Sequence, residues 1–496
     1  MEPAGSTFFW SFAVFLLAAP LYKAGNRPVP LLLLELAAIA FLFVTLALRR
    51  ERIELPRALL WAIGLLFFYP LVQLIPLPEA VWRLLPGHGL YAELLERFGA
   101  PDGVGIWRPI SILPSLTEYG WLALLPPLAC LLIGARLPME RARTLLLAMV
   151  VLAGGEALLG LFQVAPGGGG ALYFGNEEPG QYAAIGTFVN RSHLAAMLAM
   201  VLPVIVGLLV YSLRPGLRRV QRPHRKPGSE AIAQRVLLIA VAVMILLCLF
   251  FTRSRAGIAS SLIGLACSGI VLVRARAASI GDTRTRFASW VVLSVVAISV
   301  LLALAIGMGP LLEGFSSVNL RGSADFRTSI YAATWNAALQ FLPFGSGLST
   351  FAGVFPRYQV NDAGGYIDHA HNDYLQALME MGIVAPVIVG LLLFAYLARM
   401  RDLLFAEGGR SFTLLQVGAG LGMLPVIIHS LFEFPLHMPA IAMWFATLAG
   451  IMFRPMVGPK ESFPGERHKS RPSGASLGTP SRIELPPLPD RPTSAR

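Results

Sequence analysis

The sequence predicts an all-α, polytopic integral membrane protein of about twelve transmembrane helices, with a long periplasmic loop carrying short helices. Three observations predict it. Of 496 residues, 55% are hydrophobic and only 14% charged, against roughly 25% charged in an ordinary soluble domain. Apolar runs of about 20 residues, long enough to cross ~30 Å of hydrocarbon, recur along nearly the whole chain. The formal charge of +12 is gathered into blocks between those runs, which is a membrane pattern and not a nucleic-acid footprint.

The runs lie near residues 6–22, 29–48, 58–75, 117–135, 144–165, 192–213, 236–252, 256–273, 287–309, 376–398, 412–432 and 437–453. The first lacks a basic leading segment, with Glu2 as its early charge, so it is expected to be an uncleaved membrane helix and not a secretory signal. Cys130, Cys248 and Cys267 all fall inside apolar runs, at spacings that suit neither a metal site nor a disulfide framework. They read as packing residues. The chain is expected to divide into N-terminal helices over 1–105, a membrane core over 106–454 with a periplasmic loop at about 310–375, and a basic, disordered tail over 455–496.

Twelve spans put both termini on one side. That side collects 29 of the 40 lysines and arginines, so it is expected to be cytoplasmic. The basic loop "LRPGLRRVQRPHRKPGSE" and the tail face it, where both can touch anionic lipid heads. Two segments remain outside. Residues 76–116 contain "HGLYAELLERFG", whose leucines at helical spacing predict a short interfacial helix, and residues 310–375 form the longest polar stretch.

Arginine is depleted on the outer face, so those that remain there need a reason. The candidates among them are Arg191 in "GTFVNRSHLA", Arg253 and Arg255 in "FTRSRAG", and Arg321 and Arg327 in "NLRGSADFRTSIYAATW". A guanidinium presents five donors in a planar, permanently charged fork, which suits a phosphate or diphosphate. For a single arginine, snorkelling to the interface is the simpler reading. Five beside a His/Asn/Asp cluster favour an anion site.

That cluster is "YIDHAHNDYLQALMEMGIVAP", Tyr366 to Pro386. His371 is placed at the start of a helix running through Leu375, Leu378 and Gly382. A helix N-terminus disfavours imidazolium, so the ring there is available as a general base. Asp368, Asn372 and Asp373 read equally as helix caps. His369 and His371 form an H-x-H pair without an assured third ligand, among arginines, so no metal and no cofactor is expected. The glycines of "LPFGSGLSTF" follow no strand and are expected to make tight turns near the membrane.

With these motifs together, the chain resembles the bacterial O-antigen ligases and related polysaccharide polymerases, from about Trp107 to the last helix. "WRPISILPSLT", "GTFVNRSHLAAMLAMVLP", "TRSRAG", "LPFGSGLSTF", "HAHNDYLQALMEMG" and "HSLFEFPLHMPAIAMWFATLAG" follow in the family's order. The H-N-x9-G signature is His371, Asn372 and Gly382; Ala385 stands where the family often has Gly, Thr or Tyr. The resemblance implies a glycosyltransferase on the outer face of the inner membrane. Its donor would be a glycan on undecaprenyl diphosphate, and its acceptor the lipid A core or a second lipid-linked glycan. His371 would take the acceptor proton, while Arg255 with Arg191 and Arg327 would hold the departing diphosphate. Such a single displacement inverts the anomeric centre and needs no metal. Arg253 and Arg321 complete the expected diphosphate group, and Asn190, His193, His369, Asn372 and Glu380 are the expected supporting residues.

Glu380, about 13 Å along a helix from His371 at 1.5 Å per residue, is expected deep in the membrane, partnering another buried polar group. For His429 and Glu433 two readings stand equal, lining the acceptor cavity or tying helices together. Membrane lipids are expected partners and nucleic acid is not. Ligase and polymerase share these motifs. Transfer to protein would want an additional domain to grasp a polypeptide, and a transporter would put its charges near mid-membrane.

Overall fold

The computed structural model describes residues 3–48, 54–98, 107–165, 170–173, 183–213, 229–277, 317–359, 366–405 and 411–455. The ninth apolar run, the tail and most of the basic loop at 214–235 lie outside them. From the N-terminus come α1 (Pro3–Ala18), α2 (Pro28–Phe43) and α3 (Arg57–Gln73). An outer segment follows with β1 (Pro76–Pro78), α4 (Glu79–Trp82), α5 (Gly89–Arg97) and β2 (Trp107–Pro109). Next are α6 (Pro114–Leu122), α7 (Leu125–Gly134), α8 (Met139–Val164), α9 (Arg191–Leu213), α10 (Ser229–Phe251) and α11 (Arg255–Ala277). The chain continues through α12 (Ser317–Phe341), α13 (Phe351–Val354), α14 (Asp373–Met381), α15 (Val384–Leu404), α16 (Ser411–His429) and α17 (Pro439–Phe453).

Six of these helical stretches are long and apolar enough to cross a membrane, and five shorter apolar helices accompany them among the described residues. Together they account for eleven of the twelve apolar runs. Two expectations are corrected. The fold is not purely helical, because β1 and β2 pair antiparallel, Leu77 opposite Arg108. The polar stretch before His371 also contains a 25-residue helix, α12, and not short helices alone. The predicted interfacial helix is α5, whose Tyr91 packs against Phe341 at the end of α12.

α9 lies at the centre of the bundle and is almost wholly buried. It crosses α16 where Gly207 meets Gly418: a Cβ on Gly207 would stand 2.9 Å from the Gly418 Cα, so the two backbones touch. Small residues permit such contact where lipid offers no hydrophobic drive to bring helices together. The outside is apolar, with Trp61, Phe68 and Phe394 among the exposed side chains, as a lipid-facing surface requires.

Hydrogen bonds define the two ends of the bundle. At one, Arg136 donates to the Thr45 carbonyl (2.6 Å), Arg143 to Gln234 (2.9 Å) and Arg399 to the Met452 carbonyl (2.9 Å), and Arg454 reaches the Leu137 carbonyl. These are residues of the basic face. At the other end, Thr187 joins Pro20 and Asp373 joins Ser430. A small second core sits there, where Ile330, Ala337 and Phe341 of α12 pack with Phe351, Phe355, Ala370 and Met379.

The tenth apolar run is broken. α14 ends at Gly382, whose φ of +57° turns the chain into α15. A Cβ at Gly382 would lie 2.0 Å from the Pro343 carbonyl oxygen, so only glycine fits there. α14 is therefore a short helix lying outside the span.

Candidate active site

Asn372 caps α14, its Oδ1 accepting from the backbone N–H of Tyr374 (3.1 Å) and Leu375 (3.0 Å). His371 stands just before this cap and not inside the helix, which corrects the sequence expectation. Its φ is +51°, a left-handed conformation that costs a side-chain-bearing residue about 1–2 kcal/mol. Surrounding contacts hold it there. The Tyr331 hydroxyl donates to the His371 carbonyl at 2.8 Å, and the Asp373 N–H donates to Ser430 O at 2.9 Å.

The ring is fixed by Glu433, whose Oε2 lies 2.9 Å from His371 Nδ1. A carboxylate can only accept, so Nδ1 carries the proton and donates it, leaving the Nε2 lone pair as the acceptor. A carboxylate, not a helix dipole, thus sets the tautomer. The His371 side chain is 24% exposed and that of Glu433 4%. Burial raises the Glu433 pKa, but the His371 hydrogen bond and the Arg327 charge outweigh it and hold the carboxyl at about 2. Its other oxygen, Oε1, accepts from Arg327 and from Ser192 Oγ at 3.2 Å, and Ser254 Oγ in turn donates to Ser192 Oγ at 3.2 Å.

The arginines come from three helices and the turn between α10 and α11. Arg191 opens α9, where Asn190 Oδ1 accepts the Ser192 N–H at 2.8 Å and caps the helix. The charges acting on Arg191 are those of Arg253, Glu433, Arg255 and Arg327. Arg255 opens α11 and also feels Arg327, which projects from α12. Arg253 has a φ of +52°, so both it and His371 hold strained backbone, a feature that gathers at functional sites. Four guanidiniums thus share one region with Glu433 as the carboxylate among them. Snorkelling would place each independently, whereas these four act on one another and on Glu433 through their charges. Arg321 lies on α12, with its side chain outside the described residues.

Phe434 forms the wall behind His371. The His371 and His193 rings meet it edge-on at 5.2 and 4.8 Å, and His369 stacks on it at 4.0 Å. His369 Nδ1 also lies 3.3 Å from Gln376 Oε1. Burial, then the neighbouring His437, pushes the His369 pKa down to about 2, so it is a neutral packing residue. Asp373 Oδ1 lies 2.6 Å from His437 Nδ1 and tethers α14 to the turn before α17. Among the described residues, no group of three or more His, Cys, Asp or Glu is arranged to hold a metal ion.

Glu380 has the buried polar partner expected of it, Gln376, but its place differs. It lies on the short α14, and its oxygens accept from the backbone of Ser349 (2.8 Å) and Phe351 (3.2 Å) and from Gln376 Nε2 (3.0 Å). The carboxyl braces the glycine loop from behind and does not reach into the arginine group. Gly345 and Gly347, with φ of +77° and +116°, make the turns expected of that loop.

Residues 239–395 match the family model described as O-antigen ligase. The match indicates membrane glycan transfer of the ligase or polymerase type. The matched segment supplies Arg253, Arg255, Arg327, Tyr331 and His371. Arg191, Ser192 and Glu433 lie outside it, on α9 and on the turn after α16, so helices beyond the segment complete the site. A comparison with curated proteins found no match.

Sequence reasoning left Glu433 between two roles and did not single out Tyr331, Ser192, Ser254 or Phe434. Glu433 had a signal, since an ionisable residue within "HSLFEFPLH" is expensive unless it has a function. Tyr331 had a weaker one, standing four residues after Arg327 and so on the same helix face.

Proposed function

We propose that the protein is a membrane glycosyltransferase of the O-antigen ligase type. It transfers a glycan from undecaprenyl diphosphate to an acceptor hydroxyl, with the lipid A core as acceptor, at the periplasmic face of the bacterial inner membrane. The convergence of Arg191, Arg253, Arg255 and Arg327 on the Glu433–His371 pair carries this reading. Its outward orientation rests on the basic residues at the opposite end of the bundle.

His371 Nε2 accepts the proton of the acceptor hydroxyl. The acceptor oxygen forms its bond to the anomeric carbon as the bond from that carbon to the phosphate oxygen breaks, and the electron pair leaves with the diphosphate. Fixed arginines stabilise this departing charge without a metal. A lipid diphosphate already leaves as a stable anion, so no carboxylic acid is needed to protonate it, unlike the alcohol released in glycoside hydrolysis. One displacement inverts the centre.

Polymerisation onto a second lipid-linked repeat uses the same chemistry, and Ala385 in place of the family's more usual residues favours keeping that reading. The test replaces His371 with Ala in a strain deleted for the gene and resolves the surface polysaccharide on a gel. The variant is expected to insert normally and to fail in transfer; wild-type polysaccharide would remove the base from the mechanism. Lipid-linked polymer left unattached in the deletion identifies ligation, and single-repeat products identify polymerisation.

A further inference from the structure

Glu433 is divided between two partners that the proposed reaction uses differently. Oε1 takes a hydrogen bond from Arg327, a residue of the anion-binding group, while Oε2 takes the Nδ1–H of the base. The carboxylate is nearly sealed from solvent, at 4% exposure, whereas Arg327 at 32% and His371 at 24% can meet a ligand. A buried carboxylate shared with a guanidinium has less negative potential to offer an imidazole, because both attractions draw on one charge in a low-dielectric surrounding.

We infer that Glu433 is a positioning residue that couples diphosphate capture to the base: the donor's phosphates draw Arg327 away, and the freed carboxylate then supports the imidazolium formed when His371 takes the acceptor proton. This inference rests on the proposed function. With the site empty, Arg327 neutralises Glu433. With lipid diphosphate bound, the guanidinium fork turns to phosphate oxygens, which match it better than a single carboxylate oxygen. Glu433 then keeps Ser192 and His371. The acceptor's proton moves to Nε2, Nδ1–H stays hydrogen-bonded to Glu433, and the imidazolium lies against a carboxylate no longer paired with a guanidinium. Donor binding therefore precedes acceptor deprotonation, which protects the enzyme against activating a hydroxyl with no glycan to receive it.

Other groups around the ring do not duplicate this link. Tyr331 holds the His371 backbone, Phe434 meets the ring edge-on, and Arg191 acts on Glu433 through its charge.

The experiment uses the full-length protein in nanodiscs, with undecaprenyl diphosphate as the binding probe and the source cell's own lipid-linked glycan and membrane extract for turnover. In Glu433→Gln the competitor for Arg327 is gone, so the probe is expected to bind roughly tenfold more tightly, while kcat falls at least ~100-fold. Glu433→Asp keeps the charge and is expected to recover a measurable part of kcat. Weaker probe binding by Glu433→Gln, or turnover at the wild-type rate, overturns the coupling. If Glu433→Gln does not fold, Glu433→Asp and the wild type still decide: an acceptor extract that inhibits the wild type competitively against donor overturns donor-first order, and uncompetitive inhibition supports it. Failure of the wild type to bind the probe at all would count against the proposed function itself and is read separately.

Discussion

Replacing Glu380 with alanine removes the acceptor for three hydrogen bonds at once. Ser349 N–H lies at 2.8 Å, Phe351 N–H at 3.2 Å and Gln376 Nε2 at 3.0 Å from its oxygens, and the residue is 1% exposed. Alanine offers no substitute acceptor. An unsatisfied buried donor costs about 1–3 kcal/mol. The two backbone donors cannot rotate away, so they alone predict a loss of about 2–6 kcal/mol, while Gln376 keeps its contacts with Ala370 and His437. Set against a typical total stability of about 5–15 kcal/mol, this is large. The two backbone donors bond different oxygens, so Glu380→Gln keeps an acceptor for only one of them and is expected to lose about half as much. Thermal unfolding in detergent measures both variants, and limited proteolysis reports whether the loop at 344–351 opens. An alanine variant within ~0.5 kcal/mol of wild type, with the loop still protected, would refute the bracing role.

Two further outcomes follow from the same region. Asn372→Ala removes the α14 cap and is expected to cost about 1 kcal/mol; because His371 directly precedes the cap, turnover should fall as well, and unfolding and activity measured together check this. The pKa of His437 is raised: burial opposes the charge, but the hydrogen bond and charge of Asp373 prevail, with Glu380 adding to them. A raised folded value gives stability that is fully present below the ordinary histidine value of 6.5 and is lost as pH climbs through the folded value. The melting temperature is therefore expected to fall on alkaline titration above pH 6.5, and Asp373→Asn should flatten the slope. A wild-type profile already flat over that range would sink the assignment.

The membrane class was legible because it depends on composition. A run of twenty apolar residues must find hydrocarbon or a core, whatever its neighbours do, and the helices around Val201, Ile245 and Leu391 appear where their runs predicted. Charge was legible for a similar reason, since Arg136, Arg143, Arg399 and Arg454 gather at one end of the bundle as their alternate loops required. The arginines of the opposite end and His371 could also be named, because a permanent cation or an imidazole beside an apolar helix carries a cost that asks for a function.

Pairing was not legible. That Glu433 joins Arg327 to His371, or that Glu380 braces a loop some thirty residues earlier, depends on how helices distant in sequence cross. The break at Gly382 was hidden within a continuous apolar run and follows from the close approach of the Pro343 carbonyl, a contact no local pattern encodes. Sequence sets which groups must be solvated by lipid, water or one another, since that is a property of each residue. Which partner a buried polar group receives is decided only by tertiary packing, because hydrogen bonds and ion pairs act over a few ångströms between residues that the chain order does not bring together.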